Sequence, residues 1–552
     1  MSVSYSYPGI YVQELPSSSN SVSPAPTSVA AFVGYSHPYL TGQFGVAQEL
    51  FSFTDYETYF GGLFSSSVVD ASLPRAVYQF FLNGGSTAWV VGLQPSLWSL
   101  TKGSAPTSLG QLGTGVGDLS PTYFVKTDSA SNGLLFSALQ PIDTVAMTIT
   151  ITNIRTSNTV FDIIITYGAQ IETYRGVTLP VASPAGAAAP PTMINGVSKL
   201  VTVAPGNKGT GSYGAKINAA PGPSVTWTDV TAGLTTFATA YNADDFLPVF
   251  LPNSSLDNVE IFNLLMTPGN VDNSVVSAAL AFAERKRAFA IIDPPPQAPA
   301  FEAAPPAVTP PQPQPIGNWM TGLGGVSTNY ELPESQNGAL YFPYLVSNDP
   351  VTSSNIPMAP CGWVAGVYAE TDATRGVWKA PAGLATTLLN TVGPVNSGVM
   401  NDPQQGVLNL ESINCVRTFS GDGTVVWGSR TLVAANPAYQ QWMYVPVRRM
   451  TLFIEQSLVA SLRWVVFEPN DEPLWIAITS SISAFMLSLF RQGALQGATP
   501  SDAFQVKCDS TTTSPAEQAL GIVNIVVAFA PLRPAEFVVI KIAQLAGQTA
   551  GS

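Results

Sequence analysis

His37 is the only histidine in this 552-residue chain, and it stands before Pro38 in a turn-like stretch. A Ser-His-Asp or Cys-His relay would have to use that one imidazole as its base, and no G-x-S-x-G elbow presents a serine to it. One histidine also removes the HExxH motif and the histidine-bearing zinc sites. His37 therefore reads as an ordinary surface residue. Cys361, Cys415 and Cys508 are odd in number and far apart, which fits buried free thiols in a reducing compartment better than a disulfide frame. "GQLGTGVG" (Gly110 to Gly117) alternates glycines without a helix behind it. "GNKGTGSYG" (Gly206 to Gly214) places Lys208 wrongly for a P-loop, and both read as turns. Asp55, Glu57, Asp372, Glu468 and Asp471 fall at helix starts or in loops, where carboxylates serve as caps and macrodipole partners. A glycosidase-type carboxylate pair is assembled only by the fold and stays open. The densest polar cluster is "YAETDATRGVWKAPAG" (Tyr368 to Gly383), where Arg375 and Lys379 flank Trp378. It is either a recognition loop or, the favoured reading, a structural one in which Arg375 pairs with Glu370 or Asp372 and Trp378 plugs a core. No cofactor and no metal is called for.

Composition narrows the partners. The net charge is −13, and the 22 Lys+Arg are scattered apart from "ERKR" at Glu284 to Arg287, so the chain lacks the clustered positive charge that tracks phosphates. Only 10% of residues are charged, against about 25% in ordinary soluble domains, while 46% are hydrophobic. Such a chain is expected to cover much of its surface with other proteins. No uninterrupted apolar run reads as a membrane span. The polar segment after Met1 lacks the basic and apolar regions of a signal peptide, so Sec-type secretion is disfavoured.

The elements that would carry these residues divide the chain. Residues 1–20 hold a lone strand: Val3, Tyr5 and Tyr7 alternate with serines, Pro8-Gly9 interrupts, and Ile10 to Val12 resumes before the flexible Pro16 to Asn20. A strand without a hairpin neighbour needs a sheet edge elsewhere, in this molecule or another. Residues 21–93 read as an α/β unit, with strands at Thr27 to Ser36 and Ala88 to Leu93 and helices near Ser52 to Leu63 and around Ala76, Phe80 and Phe81. Residues 94–235 form a β-rich insertion on the outside, with strands at Val145 to Ile154 and Thr159 to Gly168. Residues 236–383 return to α/β: strand Ile261 to Met266, a helix capped by Asp272 or Asn273, strand Ala288 to Asp293, and a proline-rich surface loop at 294–315. Residues 384–552 carry a helical stripe of Val447, Met450, Ile454, Leu458, Leu462 and Val465. A second follows in Leu474, Ile478, Ile482, Phe485 and Leu489, and two closing strands, Gly521 to Ala530 and Glu536 to Leu545, end the chain.

Several segments together carry a family resemblance. "GWVAGVYAETDATRGVWKAPAG" resembles the contractile tail sheath proteins of myophages, R-type tailocins and extracellular contractile injection systems. So do "YSYPGIYVQELPS", "PTSVAAFVGYS", "SFTDYETYFGG", "AVYQFFLNGGSTAWVVGL", "FAIIDPPP", "ESINCVRTFSGDGTVVWGSRTL", "YVPVRRMTLFIEQSL", "WVVFEPNDEPLW" and "PLRPAEFVVIKIAQ", in the family's order. The match covers about the first 93 residues and most of the chain after 245, leaving out the insertion and the proline-rich loop. It implies a multidomain mixed α/β (α+β) fold, a sheath core with exchanged terminal strand arms, and no enzymatic activity. The implied donated strands are Val3, Tyr5, Tyr7, Ile10 and Val12 at one end and Phe537, Val539, Ile540 and Ile542 at the other, with Ile522, Ile525, Val527 and Phe529 in the receiving sheet. Arg375, Trp378 and Lys379 form the family-motif loop, and Arg463, Arg491 and Lys507 are candidate tube contacts. The implied partners are further copies in stacked hexameric rings, an inner tube, a baseplate and a tail terminator or cap. Nucleic acid and direct membrane insertion are not implied. The competing expectation is a hydrolase or carbohydrate-binding surface protein acting through residues 94–235.

Overall fold

The computed structural model describes residues 21–94 (except 39, 67 and 68), 122–126, 132–141, 145–155, 159–178, 193–206, 212–213, 224–227, 242–295, 333–395, 399–537 and 539. They fall into two compact units. One comprises residues 21–25 and Phe453–Leu532, the other Pro26–Leu452 and the chain from Arg533.

The larger unit is built on an eight-stranded sheet. From one edge its strands are Gly423–Trp427, Ile413–Phe419, Gly338–Phe342, Phe289–Ile292, Leu264–Met266, Ala30–Tyr35, Ala88–Leu93 and Ala47–Leu50. The six inner strands are parallel, and each edge strand is antiparallel to its neighbour. Parallel strands are joined by crossovers that cover both faces, so they must be apolar throughout. Ala30–Tyr35 is buried at every residue. Its side chains divide by the period of two: Ala31, Val33 and Tyr35 enter one core with Val275, Leu280 and Ile292, whereas Ala30 and Phe32 enter another with Leu73, Phe80 and Val364. On the second face the helices Ser72–Leu82 and Cys361–Arg375 pack closely. A Cβ on Gly362 would stand 2.4 Å from the Ala76 carbonyl oxygen, so only glycine admits that approach.

The helix Asn273–Lys286 starts where its cap residue allows: the Asp272 carboxylate accepts from the backbone of Ser274 and Val275. The strand before it is shorter than the alternation suggests, Leu264–Met266 instead of Ile261 to Met266. The insertion forms a four-stranded antiparallel sheet, Ser224–Trp227, Met147–Arg155, Val160–Tyr167 and Gln170–Thr178. Beside it is a three-stranded one of Thr122–Lys126, Gly133–Ala138 and Val201–Pro205. It is less peripheral than composition suggests: Met147, Ile149, Phe161 and Ile163 belong to the same buried cluster as Val33 and Leu265. Most of the proline-rich loop lies outside the described residues.

The smaller unit begins at Phe453, well past the change near 384, because Ile413–Phe419 and Gly423–Trp427 are still needed to finish the large sheet. Its main element is the helix Glu472–Arg491. Asp471 caps it, Pro473 opens it, and Leu474, Ile478, Ile482, Phe485 and Leu489 are all buried. By length and apolar composition this helix could cross a membrane, which corrects the reading that no such run exists. Its buried stripe makes it the core helix of its unit. The preceding helix covers Val445–Ser461. Val447, Met450 and Ile454 are buried, but Leu458 and Leu462 are half-buried and Val465 sits in a separate turn, Arg463–Val465. The unit also holds a two-stranded antiparallel sheet, Phe504–Lys507 with Val526–Phe529.

His37 corrects the sequence reading. It is fully buried, because its Nε2 lies 3.0 Å from Oε1 of Gln140, a residue 103 positions away in the insertion. The Leu40 amide donates to Nδ1, so the neutral ring must carry its proton on Nε2 and donate to Gln140. Burial lowers the imidazole to about 4, with the Gln140 bond opposing. The unfolded chain therefore takes up this proton first. The contribution is complete above pH 6.5 and lost as pH falls towards 4, up to about 3 kcal/mol. The ring resonances of the sole histidine are expected to titrate near pH 4; a midpoint at 6.5 would refute the buried placement.

Candidate assembly interface

Neither end of the chain closes on itself within the described residues. The Phe504–Lys507 and Val526–Phe529 sheet has two strands, and no other described strand joins it at either edge. Two-stranded ribbons are marginal in water and gain from added strands. Of the receiving-sheet residues, Val527 and Phe529 lie in the second strand, and Ile525 immediately precedes it. Ile522 is outside it and exposed, directly after the helix Pro515–Ala519 and the left-handed Gly521 and ahead of the strand. Val3, Tyr5, Tyr7, Ile10, Val12, Ile540 and Ile542 lie outside the described residues. The expected closing strand forms no ladder at residues 532–537 or 539, where Phe537 is 73% and Val539 79% exposed. Large apolar groups left in water beside unpaired backbone have the character of a contact surface.

The segment leading into that tail is held firmly. Both carboxylate oxygens of Glu536 meet the Arg430 guanidinium, Nε to Oε1 at 2.8 Å and Nη2 to Oε2 at 2.8 Å. Asn409 Nδ2 donates to Oε1 at 2.7 Å and the Tyr444 hydroxyl to Oε2 at 3.0 Å. Burial pushes the Glu536 carboxyl up, but the Arg430, Asn409 and Tyr444 bonds outweigh it and hold it below its usual range. At the other end, the Ser23 and Ala25 amides donate to Ser461 Oγ and Ser457 Oγ. Further along, Asn263 brackets the chain, donating to Pro26 O and accepting from Val29 N, while Arg449 Nη2 donates to Thr27 O.

In the polar cluster Tyr368 to Gly383 one carboxylate is held inside the fold. Asp372 is taken by Arg449, not by Arg375: Nη1 reaches Oδ1 at 2.9 Å and Nη2 reaches Oδ2 at 2.6 Å, both side chains almost fully buried. The guanidinium lies 4.7 Å over the Tyr368 ring. Arg375 is exposed at the end of its helix, Trp378 is half-buried against Gly376, and Lys379 Nζ caps the carbonyls of Ala380 and Ala382. Arg463, Arg491 and Lys507 are all exposed in the smaller unit, the last reaching Thr511 Oγ1 at 3.3 Å.

The two described carboxylates of the insertion are tied up. Asp162 accepts from Asn153, Arg155 and the Gly176 amide, and Glu172 from Tyr174, Ser198 and the Lys199 amide. These bonds brace strands. Among the described residues no His/Cys/Asp/Glu group could hold a metal ion, and the three cysteines are free and buried.

The phage tail sheath protein central domain matches residues 253–432, and the phage tail sheath C-terminal domain matches residues 438–544. The chain belongs to the phage tail sheath family. Two curated relatives of this sheath-family chain illustrate its reach. The tail sheath protein of Salmonella phage ViI is 26% identical over 27% of this chain and 22% of its own length. The putative prophage major tail sheath protein of Pseudomonas aeruginosa (strain UCBPP-PA14) is 27% identical over 34% of this chain and 46% of its own length. The chain thus spans less than half of either relative. Among solved structures, the contracted helical sheath of the anti-feeding prophage aligns over 98% of this chain and 100% of its own, with TM-score 0.54 and 22% identity. The contracted sheath of the extracellular contractile injection system PVC aligns over 98% and 99%, with TM-score 0.54 and 20% identity. At these identities the likeness is one of fold, the mixed α/β multi-sheet architecture described above.

Proposed function

We propose that this chain is the sheath subunit of a contractile phage tail or tail-like injection system. It polymerises as stacked hexameric rings around an inner tube in a metastable extended form, and contraction drives the tube through a target envelope. The observation that carries the reading is the pairing of family membership with an open two-stranded sheet and an exposed apolar tail. The donated strands are Val3 to Val12 and Phe537 to Ile542, and Val527 and Phe529 lie in the receiving sheet. Exchanged strands keep rings connected while the tethers let them turn.

The energy lies in packing and requires no nucleotide. An extra ~300 Å² of apolar contact per subunit would contribute up to roughly 7 kcal/mol at ~25 cal/mol per Å², and every ring adds its share. Arg463, Arg491 and Lys507 are the candidates for facing the tube. The same fold occurs in the anti-feeding prophage baseplate complex, which supports baseplate proteins as partners; a tail terminator or cap completes the set. The particle assembles in the bacterial cytoplasm and acts as part of a tail or released injection device.

Expression of the chain with its tube protein, followed by negative-stain electron microscopy, tests this reading. Hollow cross-striated cylinders are expected. Persistent monodisperse monomers in the presence of the tube protein would count against it.

A further inference from the structure

The chain leaves its smaller unit at Leu532 and from Arg533 belongs to the larger one, although its described residues 533–537 and 539 form no strand or helix. What holds it is one carboxylate. Glu536 receives four donors from three separate places: Asn409 in the helix Asp402–Leu410, Arg430 after the strand Gly423–Trp427, and Tyr444 ahead of the helix Val445–Ser461.

The receptor is stiff because it is wired into the sheet. The Arg430 amide donates to Asn414 Oδ1 at 2.6 Å, and Asn414 Nδ2 donates to Arg430 O and to Leu340 O, both Asn414 and Leu340 being strand residues. Arg430 also donates from Nη1 to Asn409 O, so its fork is already aimed when the carboxylate arrives. Arg430 is itself only 8% exposed, and without Glu536 its Nε and Nη2 would lose their carboxylate partner in a largely dry site. One residue further on the character reverses, with Phe537 and then Val539 standing in water.

We propose that Glu536 is a positioning residue: the Arg430–Asn409–Tyr444 receptor fixes the root of the C-terminal arm to its own subunit, and the apolar segment beyond it is presented from that fixed point to a second copy of this chain. The root stays seated in the extended and the contracted sheath, and movement of the arm is confined to residues after 536. A bidentate charged pair suits a point that must carry load between rings, because two parallel bonds fix direction as well as distance. This rests on the strand-exchange reading above.

Glu536→Ala and Glu536→Gln in the full chain, assembled with the tube protein, test the proposal. Both subunits are expected to keep the wild-type circular dichroism spectrum with a lowered thermal midpoint, while the yield of contractile sheath at temperatures where they stay folded falls by about tenfold or more. The charge swap Arg430→Glu with Glu536→Arg is expected to recover part of that yield. Wild-type assembly and contraction by Glu536→Ala overturns the proposal. So does loss of fold by Glu536→Gln, since the receptor would then be holding the subunit's own core. Deletion of residues 537–552 separates the two readings. Normal contraction without that segment removes strand exchange at the C-terminus itself, whatever the Glu536 variants do.

Discussion

Arg449→Met is expected to destabilise the subunit by about 3–5 kcal/mol, read as a fall in the urea midpoint. The guanidinium and the Asp372 carboxylate are 3% and 1% exposed, so the substitution strands a carboxylate where water cannot reach it. It also removes the donor to Thr27 O and the cation over the Tyr368 ring, whose hydroxyl lies 2.6 Å from that of Tyr341. The sign with pH follows from the carboxylate. Burial already pushes Asp372 up against the pull of Arg449. With that pull gone its folded value rises further above the unfolded one, and a raised acid costs stability as pH climbs through the interval between them. The deficit of Arg449→Met should therefore shrink on acidification from neutrality, as Asp372 takes up a proton. Combining Arg449→Met with Asp372→Leu is expected to recover most of the loss, because an apolar pair of similar volume leaves no buried charge behind. A loss under 1 kcal/mol, or no recovery in the double variant, would show that the pair is not the tie it appears on geometry to be.

The sequence disclosed what is local and periodic. The runs of β-branched and aromatic residues marked Ala30–Tyr35 and Ala88–Leu93. The Asp272 cap and the Asp471-Pro473 start marked two helices, and the stripe from Leu474 to Leu489 marked a buried face. The polar ties were not legible. His37 looked exposed because Gln140 is 103 positions away. Arg375 reads as a partner for Glu370 or Asp372 on the same helix, whereas the partner of Asp372 is Arg449, 77 positions on. Glu536 read as the start of a strand, and nothing near it announces Arg430 at a separation of 106. Each of these groups has ordinary neighbours in sequence, and only a partner brought in by the fold gives it a role. The expected terminal strands rest on the opposite signal. An alternating run with no local partner is visible as a deficit, and Phe537 and Val539 are exposed in the isolated chain, which leaves that deficit open.

Deleting residues 1–15 is expected to leave a folded subunit that forms no contractile sheath, with a yield at least about tenfold below wild type. The fold should survive because the described chain is anchored downstream of the cut. Val22 is buried, the Ser23 and Ala25 amides are held by Ser461 and Ser457, and Asn263 and Arg449 fix Pro26 to Val29. Assembly should fail because the Phe504–Lys507 and Val526–Phe529 ribbon would lose a strand contributed by another copy, and a two-stranded sheet has little stability to spare. A peptide of residues 1–15 added in excess to wild-type subunits gives the complementary readout: it should occupy the receiving edge and suppress polymerisation. The two results must agree, since a strand that is donated in the assembly can be competed for by the same strand in solution. If the truncated chain forms sheaths that contract at the wild-type yield, the N-terminal strand is paired within its own subunit or not at all, and ring connectivity must come from other surfaces.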